Sequence, residues 1–301
     1  MKLSKKLRGN LMLILTAFIW GVSFVAQAVG MEHVGPYTFN ASRFLIGGLV
    51  LLPLVRRNQL RARRESGPMT PAARKTMLLG GLCCGLAIFV ASTLQQFGVQ
   101  TTSPGKAGFI TALYIVIVPL LGLFLHKKPP VLVWLGVVLA TGGMALLCLT
   151  DGLSMSQGDF LVFLCAIFFS FHILIIDYFS PKADGVTLSC MQFFVSGLLS
   201  LVLALIFENP APGQLLDAWL PIAYSGVLSC GIAYTLQVVA QKDTDPTVAS
   251  LLLSLESVFA VLGGGVLMHQ WLSVRELVGC ALMFIAIILA QLDPQKLRRS
   301  K

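Results

Sequence analysis

The chain has 301 residues, of which 56% are hydrophobic and only 12% charged, and its mean hydropathy is +0.84. Soluble domains carry about 25% charged residues, so a deficit spread along the whole length makes lipid the solvent and excludes an ordinary water-soluble enzyme. The net charge of +9 would suit a nucleic-acid partner, but its placement along the chain assigns it to the membrane surface.

Ten apolar segments follow one another: 10–29, 36–55, 76–97, 104–125, 131–150, 158–179, 186–207, 219–240, 246–267 and 273–292. Each is close to the roughly 20 residues that cross a bilayer as a helix. Helices satisfy their backbone within one segment, and the short alternating segments of membrane strands are absent, so an all-α bundle follows. The first segment comes after "MKLSKKLRGN", a basic start like that of a signal peptide. It is long for one, and "WGVSFVAQAVG" offers no convincing cleavage site, so it reads as a helix. The second carries Arg43 near its middle and leads into the basic loop "RRNQLRARR". The third carries "GGLCCG", in which Gly81 and Gly85 make a GxxxG pattern for close helix approach. The fourth opens with "TTSPGKAG". There Ser103 is the expected N-cap, Pro104 the first helical residue and Lys106 the third, where the helix dipole disfavours a cation by about 0.3–1 kcal/mol. Asp177 and Glu208 sit near enough to helix ends to reach headgroups. The ninth segment repeats the helix start as "DTDP", with Asp245 and Pro246, and holds Glu256 near its middle before "LGGGV".

With the N-terminus inside, 19 of the 22 Lys and Arg residues fall on the inner side, Arg275 alone falls outside, and Arg43 and Lys106 lie within helices. This fulfils the positive-inside rule and makes both termini cytoplasmic. The basic loop is suited to anionic lipid rather than RNA. The seven cysteines all lie in predicted helices without a CxxC pair, so they read as small packing residues and no metal site is expected.

The chain is written twice. "TLQQFGVQTTSP" (Thr93 to Pro104) faces "TLQVVAQKDTDP" (Thr235 to Pro246) at an offset of 142 residues. At that offset Gln95 faces Gln237, Lys106 faces Val248 and Tyr114 faces Glu256. "LGVVLATGGMALL" faces "VGCALMFIAIILA", and "SRFLIGGLVLLPL" faces "CMQFFVSGLLSLV" more weakly. Residues 1–150 and 151–301 are therefore two halves of five helices. Because five is odd, the second half starts on the opposite side of the membrane and the repeats are inverted. Such a molecule has two near-equivalent conformations, one open to each side, with substrate near the midplane between the halves. Duplication for packing alone is the plainer alternative.

"AFIWGVSFVAQAVG", "FNASRFLIGGLVLLP", "TTSPGKAGFITALYIVIVPLLG" and "LLLSLESVFAVLGGGVLMHQ" resemble the drug/metabolite transporter superfamily, and within it the EamA-like ten-helix transporters. The resemblance covers essentially the whole chain. It implies secondary-active transport, in many members export of amino acids, metabolites or toxic compounds from a bacterial cytoplasmic membrane. It also implies a cavity lined mainly by helices 1, 3, 4, 6, 8 and 9, with the fifth helix of each half peripheral. Many such proteins have Glu-Pro where this chain has Glu256-Ser257. A kink near Pro119 is accordingly expected in preference to one at Ser257.

Ionisable groups inside the membrane are functional candidates by default, since an unpaired charge there costs about 2.5–3.5 kcal/mol on insertion scales. Glu256 is either the coupling group, binding a proton or a substrate amine, or the structural partner of Arg43, which is read as a structural charge. Lys106 either snorkels to the headgroups or forms an anion site with the helix start at the outer gate. Gln27, Gln95, Gln237, His172 and Tyr114 are candidate cavity liners. Trp20 and Ser23 share a face of the first helix by i, i+3 spacing, and resemble the family's helix-1 cavity wall. Gln192 is interhelical glue. No GxxxxGK[ST], HExxH or GxSxG occurs, so there is no ATP site and no usual hydrolase signal. No catalytic residue and no cofactor is expected, and coupling to an ion or substrate gradient follows, with a proton or another ion as candidate. The function read here is secondary-active transport, as an exporter, of a small polar metabolite, with an amino acid or related zwitterion as cargo. Lys106 would meet its carboxylate and Glu256 its amine. The alternatives are an exchanger of phosphorylated or nucleotide-linked metabolites, which would need several cavity cations, and an intramembrane enzyme.

Overall fold

The computed structural model describes residues 5–124, 131–148, 156–269 and 273–291. The basic loop 126–130 and the C-terminal basic cluster lie outside them. The described chain is all-α. Its helices are α1 (Lys5–Gly30), α2 (Pro36–Ser66), α3 (Pro71–Val99), α4 (Pro104–Thr111), α5 (Tyr114–Phe124), α6 (Val131–Cys148), α7 (Gln157–Phe179) and α8 (Gly185–Phe207). They continue as α9 (Pro212–Asp217), α10 (Trp219–Ala223), α11 (Thr235–Gln241), α12 (Pro246–Leu253), α13 (Leu255–Met268) and α14 (Val274–Gln291). A π-helical stretch, Tyr224–Tyr234, joins α10 to α11. Among the described residues, eight continuous or broken helical runs are long and apolar enough to cross a membrane, and two shorter apolar helices lie within α6 and α14. They form the ten crossings of two inverted five-helix repeats.

Local sequence explains where these helices start. α2, α3, α4 and α12 each open on proline, whose missing N–H costs nothing in a first turn. Asp245 caps α12 through Thr247 N at 2.8 Å. Ser103 has the extended N-cap backbone, yet its side chain makes no capping bond. Glu208 does not reach for headgroups. Its carboxylate accepts from Tyr37 N at 2.8 Å and Thr38 N at 2.7 Å, filling the start of α2 from the end of α8, where the helix dipole favours an anion. "RRNQLRARR" is a helical extension of α2 rather than a loop, with Arg56, Arg57, Arg61 and Arg64 exposed.

The fourth and ninth crossings are both broken, α4 from α5 at Ala112–Leu113 and α12 from α13 at Ser254. The two breaks match at the 142-residue offset, so a kink at Pro119, which lies inside α5, is not the cause in either. In α12–α13, Ser254 Oγ and Ser257 Oγ bond the carbonyls of Leu251 and Ser254 at 2.8 and 2.7 Å, local bonds that compete with the helix ladder.

The repeats interlock. α2 packs on α8, α6 on α14, α3 on α7 and α1 on α13. Equivalent contacts recur in each half. A Cβ built on Gly48 would meet the Phe194 ring at 3.1 Å, and one on Gly197 would meet Leu45 at 3.0 Å, and each pair lies 149 residues from the other. Phe44 stacks on Phe193 at 6.0 Å, again 149 apart. The register of the second and seventh crossings is therefore one residue away from the visible match of their strings, and Arg43 corresponds to Gln192. The offset falls to 142 after α2 because α2 carries the basic extension that α8 lacks.

Candidate functional site

A cavity of about 30 Å³ lies between the repeats. Its wall pairs repeat-equivalent residues: Trp20 with Phe169, Phe24 with Ile173, Gln95 with Gln237, Thr111 with Leu253, and Tyr114 with Glu256. A cavity that takes equivalent residues from both halves sits on the pseudo-two-fold axis, where a symmetric rearrangement would act on it from both sides at once. Tyr114 Oη donates to Glu256 Oε1 at 2.8 Å, so these two equivalents touch across the axis. Gly21 brings α1 against this point, since a Cβ there would lie 2.7 Å from Glu256 O and 2.8 Å from Ala260 N.

Trp20, Ser23, Gln27, Gln95, Tyr114, Gln237 and Glu256 line this cavity, and so does Arg43. The wall thus comes from crossings 1, 3, 4, 6, 8 and 9, with Arg43 added from crossing 2. Arg43 is 2% exposed and Glu256 3%. They form no ion pair with each other among the described residues. Arg43 instead lies over the rings of Phe39 and Phe44, at 5.7 and 4.8 Å, and its Nε and Nη2 have no hydrogen-bond partner.

His172 and Lys106 stand off the cavity. His172 Nε2 meets Gln192 Oε1 at 2.9 Å, and its ring packs edge-on to Tyr234 at 6.0 Å behind the wall. Lys106 Nζ bonds Asp159 Oδ2 at 2.5 Å. Asp159 also accepts from Thr102 Oγ1 at 3.1 Å and forms a capping box with Ser156 at the start of α7. The cation that the dipole of α4 disfavours is therefore neutralised by a carboxylate that the start of α7 favours. The sequence held a signal for Asp159, since Ser156 and Asp159 stand as S-x-x-D before an apolar run. Of the other wall residues, Thr111 and Leu253 follow from the 142-residue offset, whereas Ser229 and Tyr234 do not. They belong to the π-helical stretch, whose wider turns leave carbonyls open to outside donors. Trp20 Nε1 reaches Ser229 O at 3.4 Å and Thr16 Oγ1 reaches Ala233 O at 3.1 Å.

The profile of the EamA-like transporter family matches residues 7–149 and 156–292. An uncharacterized transporter of Archaeoglobus fulgidus is 28% identical, covering 96% of this chain and 87% of its own. The uncharacterized transporter YoaV of Bacillus subtilis is 23% identical over 92% and 94%. A chloroplastic WAT1-related protein of Arabidopsis thaliana is 24% identical over 92% and 68%. A crystal structure of a protein 19% identical to this chain superposes with a TM-score of 0.73, covering 96% of this chain and 98% of the other, so the fold is shared.

Proposed function

Since the chain belongs to the EamA-like transporter family and is an integral membrane transporter rather than an enzyme, we propose that it is a secondary-active exporter of a small polar metabolite. The cargo is an amino acid or a related compound, carried across a bacterial cytoplasmic membrane. One observation carries this reading: the cavity on the axis between the repeats, walled by equivalent residues of both. Pockets that hold small ligands run to roughly 300–1,000 Å³, and about 30 Å³ holds about two waters. The described conformation is thus contracted at the site, and cargo gains room when the repeats part on one side. Alternating access is that parting, first on the inner face and then on the outer.

Glu256 is the coupling candidate. It is buried, it touches its equivalent residue of the other repeat, Tyr114, and a proton on its carboxyl changes that contact. An exchanger of phosphorylated metabolites is disfavoured, because among the described residues Arg43 is the single Lys or Arg in the cavity wall. The proposal is tested by counterflow in proteoliposomes against a panel of amino acids, amines, sugars, nucleosides and sugar phosphates. Amino acids are expected to exchange. Exchange of sugar phosphates alone would replace this cargo with the other.

A further inference from the structure

Among the described residues Arg43 Nε and Nη2 have no hydrogen-bond partner, and the second repeat shows a residue at the equivalent place that is bonded through its side-chain oxygen, with its Nε2 unpartnered. Gln192 is the equivalent of Arg43 at the 149-residue offset set by the Gly48–Phe194 and Gly197–Leu45 contacts. It is fully buried and bonded to His172 at 2.9 Å. The equivalent of His172 is Ser23, which lines the cavity beside Arg43 and whose Oγ has no partner. In one repeat the two positions close on each other through an imidazole and an amide. In the other a hydroxyl replaces the imidazole, which removes a ring's volume, and a guanidinium replaces the amide. The fold accepts a neutral residue at this place, so packing does not explain the charge.

The two unpartnered atoms of Arg43, Nε and Nη2, form one edge of the guanidinium, the fork that takes a carboxylate with two parallel hydrogen bonds. Two further cavity residues have unpartnered oxygens, Gln27 Oε1 and Gln237 Oε1, and these accept from N–H groups. We propose that Arg43 is the residue that binds an anionic group of the cargo. The cargo carries one carboxylate-sized anion on the Arg43 edge in the space left at Ser23, with its N–H groups turned to Gln27, Gln237 and Glu256. This rests on the transport reading above and deepens it. It moves the anion-recognition role from Lys106, which Asp159 already neutralises, to a cation inside the cavity.

The test uses the full-length chain in proteoliposomes and the twenty L-amino acids, each as free acid, carboxamide and decarboxylated amine. Counterflow and thermal stabilisation are measured for wild type, Arg43→Gln and Arg43→Lys. Arg43→Gln copies the residue that the second repeat already folds around. The free acid of any transported compound is expected to bind about 10- to 100-fold more tightly than its amide, the range for a hydrogen bond to a charged group. Arg43→Gln brings the acid down to the level of the amide, and Arg43→Lys retains part of the preference. If wild type moves amides and amines as well as acids, the inference fails and the transporter reading stands. It fails equally if Arg43→Gln keeps the acid preference. If no compound of any series moves or stabilises the protein, the amino-acid cargo and the inference fall together.

Discussion

The Lys106–Asp159 pair joins the outer ends of the fourth and sixth crossings, and its inverted copy on the inner face is neutral. Gly158 lies against Thr102, since a Cβ there would meet Thr102 Oγ1 at 2.6 Å, and Gly9 lies against Thr244 in the same way at 2.9 Å. Beside Gly9 stands Asn10 in place of Asp159, and Val248 stands in place of Lys106. Asp159→Asn therefore removes the ion pair from the outer contact, leaving the cap position in place, and Lys106→Val added to it completes the chemistry of the inner one. The side chain of Asp159 is 4% exposed and that of Lys106 25%, between an exposed pair worth 0.2–1 kcal/mol and a buried one whose breakage costs about 3–5 kcal/mol. An expected loss of about 1–2 kcal/mol corresponds to a roughly 5- to 30-fold larger population opened at the outer end. Hydrogen exchange in proteoliposomes reads this directly, because local opening sets the exchange rate. Amides over 101–111 and 156–163 should speed up by that factor, while those over 5–12 and 242–250 should not. Adding Lys106→Val to Asp159→Asn should change little more, since the interaction is already gone. Equal exchange at both faces, or an undiminished effect of the second substitution, would refute the latch.

Glu256→Gln removes the carboxyl proposed above as the coupling group. It is expected to flatten the pH dependence of counterflow and to abolish uphill transport driven by a proton gradient. An unchanged pH profile would exclude Glu256 from coupling. Tyr114→Phe deletes the 2.8 Å bond to Glu256. It should shift that pH profile while leaving the acid-over-amide preference intact, measured in the same counterflow assay. Gly21→Val would press a side chain onto Phe259 and the backbone of Glu256. Overpacking of this kind costs about 1–3 kcal/mol, so a thermal-unfolding midpoint several degrees lower and slower transport are expected. Gly142→Ala, with nothing within 4 Å, serves as the neutral control.

Much of this architecture was legible in the order of residues. The charge deficit names the solvent, the count of apolar segments gives the crossings, and the 142-residue offset already pairs Gln95 with Gln237 and Tyr114 with Glu256. What the sequence could not carry is contact between distant helix ends. Lys106 looked free because its partner lies 53 residues away at the start of another crossing, and Glu208 looked bound for headgroups because the helix start it fills is 170 residues upstream. Setting the second and seventh crossings one residue out of register hides the pairing of Arg43 with Gln192, although at 149 residues Phe44 meets Phe193, Gly48 meets Gly197 and Leu49 meets Leu198 in the sequence itself. The π-helical stretch left no periodic signal. Its counterpart in the first repeat lies within the continuous helix α3, so repetition itself argued against it.

An inverted repeat with identical halves would have inward-open and outward-open states of equal free energy, and nothing in it would set a resting state. The preference between the states has to come from positions where the halves differ. Among the many differences between the halves, those that place charge at the outer contact and at the cavity bear most directly on this preference. Lys106 and Asp159 face the outer side where Val248 and Asn10 face the inner, so closing the outer side gains a charged hydrogen bond that closing the inner side does not. On the exporter function proposed above, this would bias the unloaded protein towards an outer side that is shut, the state in which cargo is collected from the inner side. Arg43 against Gln192 and Glu256 against Tyr114 break the symmetry at the cavity itself. A cargo bound there interacts unequally with the two repeats, and only such a differential interaction can shift the equilibrium between two conformations. The same residues that depart from the repeat are thus the ones able to make transport depend on cargo, which is why variants at these positions should alter coupling and selectivity more than they alter folding.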